Sequence, residues 1–502
     1  MVNGNRSIRT AGLADAGRTA RRAPTWRQLV AFVAVMGIAG TACGRSGDST
    51  ATGDDATGDT SAATTPPTSS SGPAAGEFGE LGKVCGPAEA GTTLTASDTG
   101  VTADSIQIGT IADPGYSGRP GVNQEIFDSA NTFSKWCNEA GGINGRKIVV
   151  KQRDAKLTDY QARVIEACDE GDFMLVGSLG IFDDQGQTER LACGLPAIGS
   201  ATNPGAVEAD LILKPIPNRV DTIPIGDLRW LQEKFPEATQ KIGFLTGGVA
   251  VTINSANRNK EAMAGLGWKV VYDEQFNPAG ETSWRGFVEG LKSAGVRGLI
   301  WTADPTALAA VLKAMAEIEY HPDFVRANGN NYDNLLLTEA GQAGNDTYIQ
   351  AFSYPFLDPA LAEKNPATQQ YLDLTAEYTP GAKIADLGIT AFSSWLLFAK
   401  AVSECGADVT RNCVWANATA TTDWSGGGLH SKQNLETGRA SSCFVEIEVK
   451  DGGWLFPDIS PNDGVFNCDP KNVATLTGDY GAGAKCQNPA FATDPKPSNC
   501  AP

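Results

Sequence analysis

Residues 138–150 read Asn138-Glu139-Ala140-Gly141-Gly142-Ile143-Asn144-Gly145-Arg146-Lys147-Ile148-Val149-Val150. The pair Gly141-Gly142 is typical of the end of a helix, because glycine readily adopts the left-handed conformation that closes the last turn. A second turn follows at Gly145, and the apolar residues after it are typical of a strand. The segment therefore predicts a helix, a tight connection and a strand in direct succession.

The same alternation extends on both sides of this segment. Strands are expected near Ile106, Ile108 and Ile111 and over 173–177, 196–199, 241–246, 269–275 and 298–302. Helices are expected over 124–138, 158–170, 184–193, 255–266, 284–294 and 308–318. Strands that alternate with helices of this length predict parallel sheets covered on both faces. Because these elements extend over about 360 residues, and cores tend to divide beyond about 250–300 residues, we expect an α/β protein with two doubly wound parallel-sheet lobes.

The N-terminal segment has the composition of an export signal. Six arginines and a single acid, Asp15, occupy residues 1–27, and the apolar run 29–39 follows. This run is shorter than the roughly 20 apolar residues of a membrane-spanning helix. We therefore expect residues 1–42 to be a signal peptide that is removed.

The signal ends in Gly40-Thr41-Ala42-Cys43, which resembles a bacterial lipoprotein signal. The resemblance implies that Cys43 is lipidated and anchors the protein to the outer face of the plasma membrane. Ordinary cleavage, with Cys43 left free or in a disulfide, is the alternative. The pair Arg21-Arg22 leaves twin-arginine export open beside the general secretory route.

Residues 43–80 are predicted to form a disordered tether, because small and polar residues predominate and large apolar residues are almost absent.

The mature chain is strongly acidic. Residues 1–42 carry six Arg and one Asp, a formal +5, so their removal changes the net charge from −18 to −23. A chain this acidic is repelled by nucleic acid and by anionic lipid surfaces. We therefore expect no nucleic-acid partner, and a membrane contact only through the lipid.

Eleven cysteines indicate an oxidising compartment, and ten remain for five disulfides once Cys43 is set aside. Two local pairs are the disulfide candidates: Cys168 with Cys193, at the ends of successive helices, and Cys405 with Cys413, around a short loop. The other bridges are expected between Cys85 and Cys137 and, with the pairing left open, among Cys443, Cys468, Cys486 and Cys500.

Three segments carry a family resemblance: 138–148, Ile106-Gln107-Ile108-Gly109-Thr110, and Leu195-Pro196-Ala197-Ile198-Gly199-Ser200-Ala201-Thr202-Asn203-Pro204. In this order they resemble the type I periplasmic binding proteins, and in particular the branched-chain amino-acid (Leu/Ile/Val) receptors of ABC importers. Ser283-Trp284-Arg285-Gly286-Phe287 and Tyr354-Pro355 continue the resemblance, which covers 101–454.

The resemblance implies two lobes joined by three hinge crossings, near Pro215, 348–355 and 430–443, with a ligand held between the lobes. We assign lobe 1 to 81–217 plus 351–430 and lobe 2 to 218–350 plus 431–460. Residues 461–502 are expected to form a cysteine-rich C-terminal extension. The implied partners are a small-molecule ligand and an ABC permease, and we expect a monomer.

Ligands of such sheets lie at the carboxyl ends of the strands, which directs attention to the loops 113–118, 177–183 and 199–202 of lobe 1. The facing loops of lobe 2 are 246–251, 302–305 and 328–332. The resemblance implies that the cluster 200–202 holds a ligand carboxylate. The candidate ligand-binding residues are Ser117, Ser178, Phe182, Ser200, Ala201, Thr202, Thr246, Thr302, Asp304, Asn330 and Tyr332.

The chain departs from the amino-acid receptors in two of these loops. Loop 177–183 lacks the expected Ser or Thr just before its helix, and lobe 2 shows neither the tyrosine nor the acid that would meet an ammonium group, unless Asp304 or Asp333 substitutes. A buried ammonium without a partner is costly. The expected ligand is therefore an amino acid, an amide or another small organic acid. An amide, a polyol or an apolar carboxylic acid fits these loops at least as well as an α-amino acid.

Catalysis is not expected. The sequence has no Gly-x-Ser-x-Gly, His-Glu-x-x-His or phosphate-loop motif, and His321 and His430 are its only histidines. No Cys-x-x-Cys occurs either, so we expect no metal and no cofactor. A ligand-sensing receptor for a membrane signalling partner is the alternative to uptake, and a hydrolytic enzyme is a remote one.

Overall fold

The computed structural model describes residues 74–200, 202–460 and 462–500. The predicted signal peptide, the lipidation site Cys43 and the candidate Ala201 lie outside the described residues. Residues 74–80 differ from the predicted tether: Phe78 is fully buried and packs against Trp136 and Phe392. An aromatic side chain of this size contributes substantial apolar burial, which holds the segment on the folded body.

Sixteen strands and fourteen α-helices are defined within these ranges. The strands are β1 (Ser105–Ala112), β2 (Lys147–Asp154), β3 (Met174–Val176), β4 (Ala197–Ile198), β5 (Ile212–Leu213), β6 (Thr222–Pro224), β7 (Ile242–Gly247), β8 (Val270–Phe276), β9 (Gly298–Thr302), β10 (Phe324–Asn328), β11 (Thr347–Ala351), β12 (Cys443–Lys450), β13 (Gly453–Leu455), β14 (Asn462–Asp463), β15 (Phe466–Cys468) and β16 (Val473–Thr475). The helices are α1 (Gln124–Glu139), α2 (Tyr160–Asp169), α3 (Gln187–Ala192), α4 (Pro204–Val207), α5 (Gly226–Lys234), α6 (Ala250–Gly265), α7 (Arg285–Ser293), α8 (Pro305–Glu317), α9 (Asn334–Ala340), α10 (Pro359–Ala362), α11 (Pro366–Tyr378), α12 (Asp386–Glu404), α13 (Arg411–Thr419) and α14 (Pro489–Thr493).

The connection that opened the sequence analysis folds as predicted. Helix α1 ends before Gly141 and Gly142, whose φ angles are 118° and 86°. The amide of Gly142 donates to the carbonyl of Cys137 at 2.8 Å and so closes the last turn. A side chain at Gly142 would collide with the backbone of Arg146, so the turn requires glycine.

The first lobe is built on a parallel sheet in the order β2-β1-β3-β4-β5. Helices α1 and α12 pack against each other over this sheet. The long helix α12 is buried along nearly all of its length, with Trp395 stacked on Phe133. The prediction of a parallel sheet is confirmed for this lobe.

The second lobe is built on a mixed sheet. Strands β8-β7-β9-β10-β11 are parallel, whereas β12 is antiparallel to β11 and is followed by the antiparallel strands β13, β15 and β14. Asp451 and Gly452, both with positive φ, form the two-residue turn between β12 and β13. A two-residue turn of this kind joins antiparallel neighbours and accounts for the pairing of β13 with β12.

The chain passes three times between the two sheets before residue 460. It leaves the first sheet after β5, returns after β11 to place α11 and α12 on the first lobe, and enters the second sheet again at β12. The second and third of these crossings pair at Ser353 and His430. Within the described ranges, no helix is both long and apolar enough to span a bilayer.

Five disulfides form, and the two candidate pairs, Cys168–Cys193 and Cys405–Cys413, are confirmed. The other three bridges are Cys85–Cys137, Cys443–Cys468 and Cys486–Cys500. The C-terminal segment contacts both lobes. Its strand β16 pairs with β6 beside the first crossing, Tyr480 donates to Glu261 of α6 at 2.5 Å, and Ser498 pairs with Asn412 of the first lobe at 2.8 Å.

Candidate functional site

A cavity of about 240 Å³ lies between the two lobes, next to the three crossings. Its volume is about eight times the ~30 Å³ that one water molecule occupies in the liquid, so it suits a compact organic molecule. Four charged side chains line it: Lys214, Arg258, Arg326 and Asp386. Apolar lining comes from Leu179, Ile216, Ile223, Phe352 and Leu387.

The first-lobe wall of the cavity lies at the carboxyl ends of β4 and β5. Ile198 of β4 pairs with Leu213 of β5, and the amide of Gly199 donates to the carbonyl of Leu213 at 2.9 Å. Lys214 follows directly on β5 and Ser200 lies two residues after β4, and both line the cavity. This edge of a parallel sheet is where ligands of α/β folds bind.

Lys214 has no counter-ion among the described residues. No carboxylate oxygen lies within 4.0 Å of its Nζ atom, and the nearest acid that influences it, Asp183, accepts hydrogen bonds from Thr202 and Asn203 instead. Burial lowers the pKa of the Lys214 ammonium to about 8, because desolvation disfavours the charged form. The hydroxyl of Ser200 is buried and also lacks a partner.

The second-lobe wall is a closed network around Arg326 of β10. Its guanidinium donates to Asp227 at 2.6 Å and to Asn259, Asn328 and Gln350 at 3.0–3.2 Å. Gln350 in turn donates to Asp227 at 2.6 Å. Arg326 and Asp227 are buried, so their charges compensate each other inside the protein.

Arg258 and Asp386 complete the charged lining. Arg258 of α6 donates to the carbonyls of Arg219 and Thr222 at 2.7 and 2.6 Å, while its Nε atom is buried without a partner. Asp386, the first residue of α12, accepts from Ser353 at 2.7 Å, and burial raises the pKa of its carboxyl group.

Two of the candidate residues, Ser200 and Thr202, line this cavity. Thr202 also donates to Asp183 and to the carbonyl of Gly180 at 3.1 and 3.0 Å, so its hydroxyl has protein partners. Ser178 lies close by, but its hydroxyl accepts from the amide of Ile111 at 3.0 Å and belongs to the sheet.

The other candidates lie elsewhere. Ser117 is exposed, Phe182 is half-buried on its loop, and Thr246 and Thr302 are buried opposite each other in β7 and β9. Asp304 caps α8, and Asn330 donates to the carbonyl of Ala303 at 3.1 Å. Neither these six residues nor Tyr332 contributes to the lining of the cavity.

Tyr332 illustrates the reason. Its ring is buried against Phe356 and Trp454, and its hydroxyl accepts from the amide of Leu357 at 3.0 Å. Large aromatic residues with a satisfied hydroxyl are typical of a core. Tyr332 therefore stabilises the second lobe instead of facing the cavity.

Lys214, Arg258 and Asp386 were missed by the sequence-based selection of candidates. A usable signal was present for Lys214, since it is the single charged residue between the apolar segment Leu211-Ile212-Leu213 and the predicted crossing at Pro215. For Arg258 and Asp386, which lie on helices, no local pattern distinguishes a cavity-facing side chain from an exposed one.

The fold and the cavity define a two-lobed binding protein of the α/β class. The family model described as periplasmic binding protein matches residues 105–453, so the chain belongs to that family. Solved structures described as branched-chain amino-acid or leucine-binding proteins share its fold. No sequence among curated proteins matches the chain.

Solved structures with the same fold share little sequence with this chain. A fatty acid ABC transporter substrate-binding protein from Thermomonospora curvata is 16% identical with a TM-score of 0.59, and the match covers 76% of this chain and 98% of that one. A leucine-binding protein from Thermotoga maritima is 15% identical with a TM-score of 0.57, covering 70% and 97%. A substrate-binding periplasmic protein from Ralstonia solanacearum is 16% identical with a TM-score of 0.59, covering 70% and 100%.

Proposed function

We propose that this protein is an extracytoplasmic solute-binding lipoprotein that captures a small organic molecule between its lobes and delivers it to an ABC importer permease. The observation that carries the proposal is the cavity beside the three crossings, which side chains of both lobes line. A solute in this position contacts both lobes. It therefore favours the closed arrangement by its differential affinity for that state.

Two ion pairs support closure of the lobes around a solute. Arg119 of the first lobe pairs with Asp304 of the second at 3.2 Å, and Lys383 of the first lobe pairs with the buried Asp333 of the second at 2.8 Å. Both pairs join the first lobe to the second. They give the closed arrangement contacts that separation of the lobes would remove.

The ligands named for the structural neighbours do not identify the ligand of this protein. One is named for fatty acids and another for leucine, and both are only about as similar as other members of the fold. Identity at this level supports the fold alone. The ligand class must follow from the cavity itself.

The binding proposal predicts that an added solute raises the melting temperature of the full-length protein. A panel of amino acids, amides, short carboxylic acids and polyols tests it, since a ligand at 100 times its Kd adds about 2.7 kcal/mol of stability. Ser255→Trp, which fills the cavity wall, should abolish the shift, whereas Ser283→Trp, at an exposed position, should not. A shift that survives Ser255→Trp would place the site elsewhere.

Anchoring is tested separately at Cys43. We expect Cys43→Ser to release the protein from membranes into the soluble fraction, and mass spectrometry of the wild-type N-terminal peptide to show acyl chains. Stable attachment needs more than one chain, because a single one binds only marginally. Membrane retention of Cys43→Ser would contradict the lipoprotein proposal without affecting solute binding.

Catalysis finds no support in the contact between Ser393 and His430. Ser393 lies 2.8 Å from Nε2 of His430, and both side chains are buried. Trp424 donates to the Ser393 hydroxyl at 2.9 Å, and Nδ1 of His430 bonds the carbonyl of Ser431 at 2.9 Å. The pair is thus part of the core between α12 and the third crossing.

A further inference from the structure

We infer that the cavity binds a small organic acid, whose carboxylate accepts hydrogen bonds from the Lys214 ammonium and the Ser200 hydroxyl. The inference rests on the proposed function, because it names the class of solute that the same cavity takes. It depends on three features of the cavity: unpaired donors, net charge and apolar lining.

The two unpaired donors line the same cavity. Lys214 follows directly on β5, and Ser200 lies two residues after Ile198, the last residue of β4. The Ser200 hydroxyl is buried without a partner, and Lys214 has no carboxylate within 4.0 Å among the described residues. Buried polar groups are normally hydrogen-bonded, so the unsatisfied Ser200 hydroxyl indicates a missing partner, and the partly exposed Lys214 ammonium adds an unpaired positive charge to the same cavity. A carboxylate, with two oxygens and no donor, satisfies both.

The charges of the lining favour an anion over a zwitterion. Lys214, Arg258 and Arg326 are basic, and Asp386 is the one acid that lines the described cavity. Arg326 is compensated by Asp227, which lies behind it at 2.6 Å. Among the lining side chains, two basic groups and one acid remain, a formal +1. The carboxylates that act electrostatically on Lys214 and Arg258, which are Asp183, Glu208 and Asp221, lie outside the lining. One carboxylate neutralises this charge, whereas an α-amino acid, being neutral overall, leaves it in place.

The rest of the lining suits an apolar body. Leu179 and Ile216 contribute to this lining from the first lobe and the first crossing, and Phe352 and Leu387 from the second crossing and α12. Pockets for small molecules combine such apolar walls with a few placed polar groups. At about 240 Å³ the cavity is smaller than the ~300–1,000 Å³ of pockets for drug-sized ligands. A short or medium-length acid is therefore expected.

Matched pairs of acids and amides test the inference on the wild-type protein. The straight and branched carboxylic acids from four to eight carbons are compared with their primary amides by titration calorimetry, together with leucine and valine. The amide keeps the shape and removes the charge. We expect the acid of a pair to bind at least about 30-fold more tightly, equivalent to about 2 kcal/mol, the lower end for a buried charge pair.

Substitution of the two donors provides the second measurement. Lys214→Met removes the charge, keeps an unbranched apolar side chain one atom shorter than lysine, and should weaken binding of the acid by about 30-fold or more. Ser200→Ala should weaken it about fivefold to tenfold, as expected for one lost hydrogen bond. Lys313→Met is the matched control, because Lys313 pairs with Glu339 on the surface of the second lobe, and its affinity should equal that of the wild type.

The results distinguish failure of the inferred ligand class, a small organic acid, from failure of the proposed solute-binding function. Equal binding of acid and amide, or an unchanged affinity in Lys214→Met, would overturn the inference. Tight binding of leucine or valine, or of a neutral solute alone, would overturn it too but leave the solute-binding function standing. An absence of binding across acids, amides, amino acids and polyols, with a folded protein, would overturn both.

Discussion

The two walls of the cavity differ in how completely their polar groups are paired. On the second-lobe wall, Arg326 has four partners within 3.2 Å, and its charge is compensated by Asp227. On the first-lobe wall, Lys214 and Ser200 have no partner of this kind among the described residues. The polar groups around Arg326 in the second-lobe wall have protein partners without a ligand, whereas Lys214 and Ser200 of the first-lobe wall do not, within the described ranges.

This difference shows that a charged side chain in a cavity is not by itself a ligand-binding group. Removing one partner of a buried ion pair typically costs about 3–5 kcal/mol, so Arg326 cannot turn from Asp227 to a solute without a large loss of stability. Lys214 has no such contact to give up. In our proposal, pairing and not charge separates the residues that stabilise the fold from those that bind a solute.

The largest expected effect on stability comes from removing the ion pair between Arg326 and Asp227 in the second-lobe wall. Asp227→Ala leaves the Arg326 guanidinium buried without its carboxylate, and we expect the free energy of unfolding to fall by about 3–5 kcal/mol. Urea unfolding at pH 7 measures this loss. Asp323→Ala is the matched control, because Asp323 pairs with Arg297 at the surface, and the loss of an exposed ion pair has a far smaller effect.

One neighbour can reduce the effect of Asp227→Ala. Glu446 is fully buried, and burial together with the charge of Asp227 raises the pKa of its carboxyl group. Loss of Asp227 would favour ionisation of Glu446, which then replaces part of the lost charge. The double variant with Glu446→Gln should therefore be less stable than Asp227→Ala alone. Equal losses in Asp227→Ala and Asp323→Ala would remove the distinction between the walls.

The second prediction concerns His430, whose buried imidazole is stable in the folded protein only in its neutral form. Desolvation lowers its pKa from 6.5 to about 4. Between these values the unfolded chain binds the proton more readily, so stability is lost as the pH falls from about 6.5 to 4. The full contribution is about 3 kcal/mol, from 1.36 kcal/mol per pKa unit.

Comparison of variants isolates this histidine. Burial raises the pKa of Asp183 to about 6, which acts in the opposite sense over part of the same pH window, so the wild-type profile alone is not diagnostic. The difference between wild type and His430→Gln should change by about 3 kcal/mol between pH 7 and 4. His321→Gln, at an exposed position, is the control and should not reproduce this change.

The third prediction addresses the incomplete wall directly. Lys214→Met should raise the stability of the ligand-free protein at pH 7 by roughly 0.5–2 kcal/mol, because it removes a desolvated ammonium without a partner. The pKa of Lys214 is lowered to about 8, so the gain should shrink as the pH rises from about 8 to 10.5. A loss of stability in Lys214→Met would mean that the lysine contributes to the fold like Arg326.

The fold could be predicted from local patterns to a large extent. Alternating isoleucines located β1, the pair Gly141-Gly142 located the end of α1, and short spacings located two disulfides. These features depend on neighbours along the chain. The antiparallel strand β12 was missed, because its place beside β11 depends on the third crossing, which brings residues about 100 positions apart into register.

The site was only partly predictable, for a related reason. Ser200 and Thr202 follow a strand whose position was clear, and both line the cavity. Whether Tyr332 faces the cavity or the core depends on Phe356 and Trp454, which come from other parts of the chain. The partner of Arg326 likewise comes from α5, 99 residues away. Contacts between residues far apart in the chain decide whether a side chain faces the cavity or the core, and they cannot be predicted from the local sequence.

The smallest expected effect concerns the ion pair between Arg119 and Asp304, which we call the rim of the cavity. It tests whether this pair contributes to solute binding as strongly as the walls do. Arg119 pairs with Asp304 across the lobes at 3.2 Å, but its side chain is 45% exposed, so the pair should contribute about 0.2–1 kcal/mol. Arg119→Ala should therefore weaken solute binding by no more than about fivefold, and 0.5 M salt should reduce the difference because exposed charges are screened. Arg285→Ala, which breaks a pair within α7 of the second lobe, should leave the affinity unchanged. A much larger, salt-independent loss in Arg119→Ala would assign part of the binding energy to the rim and weaken the contrast between the two walls.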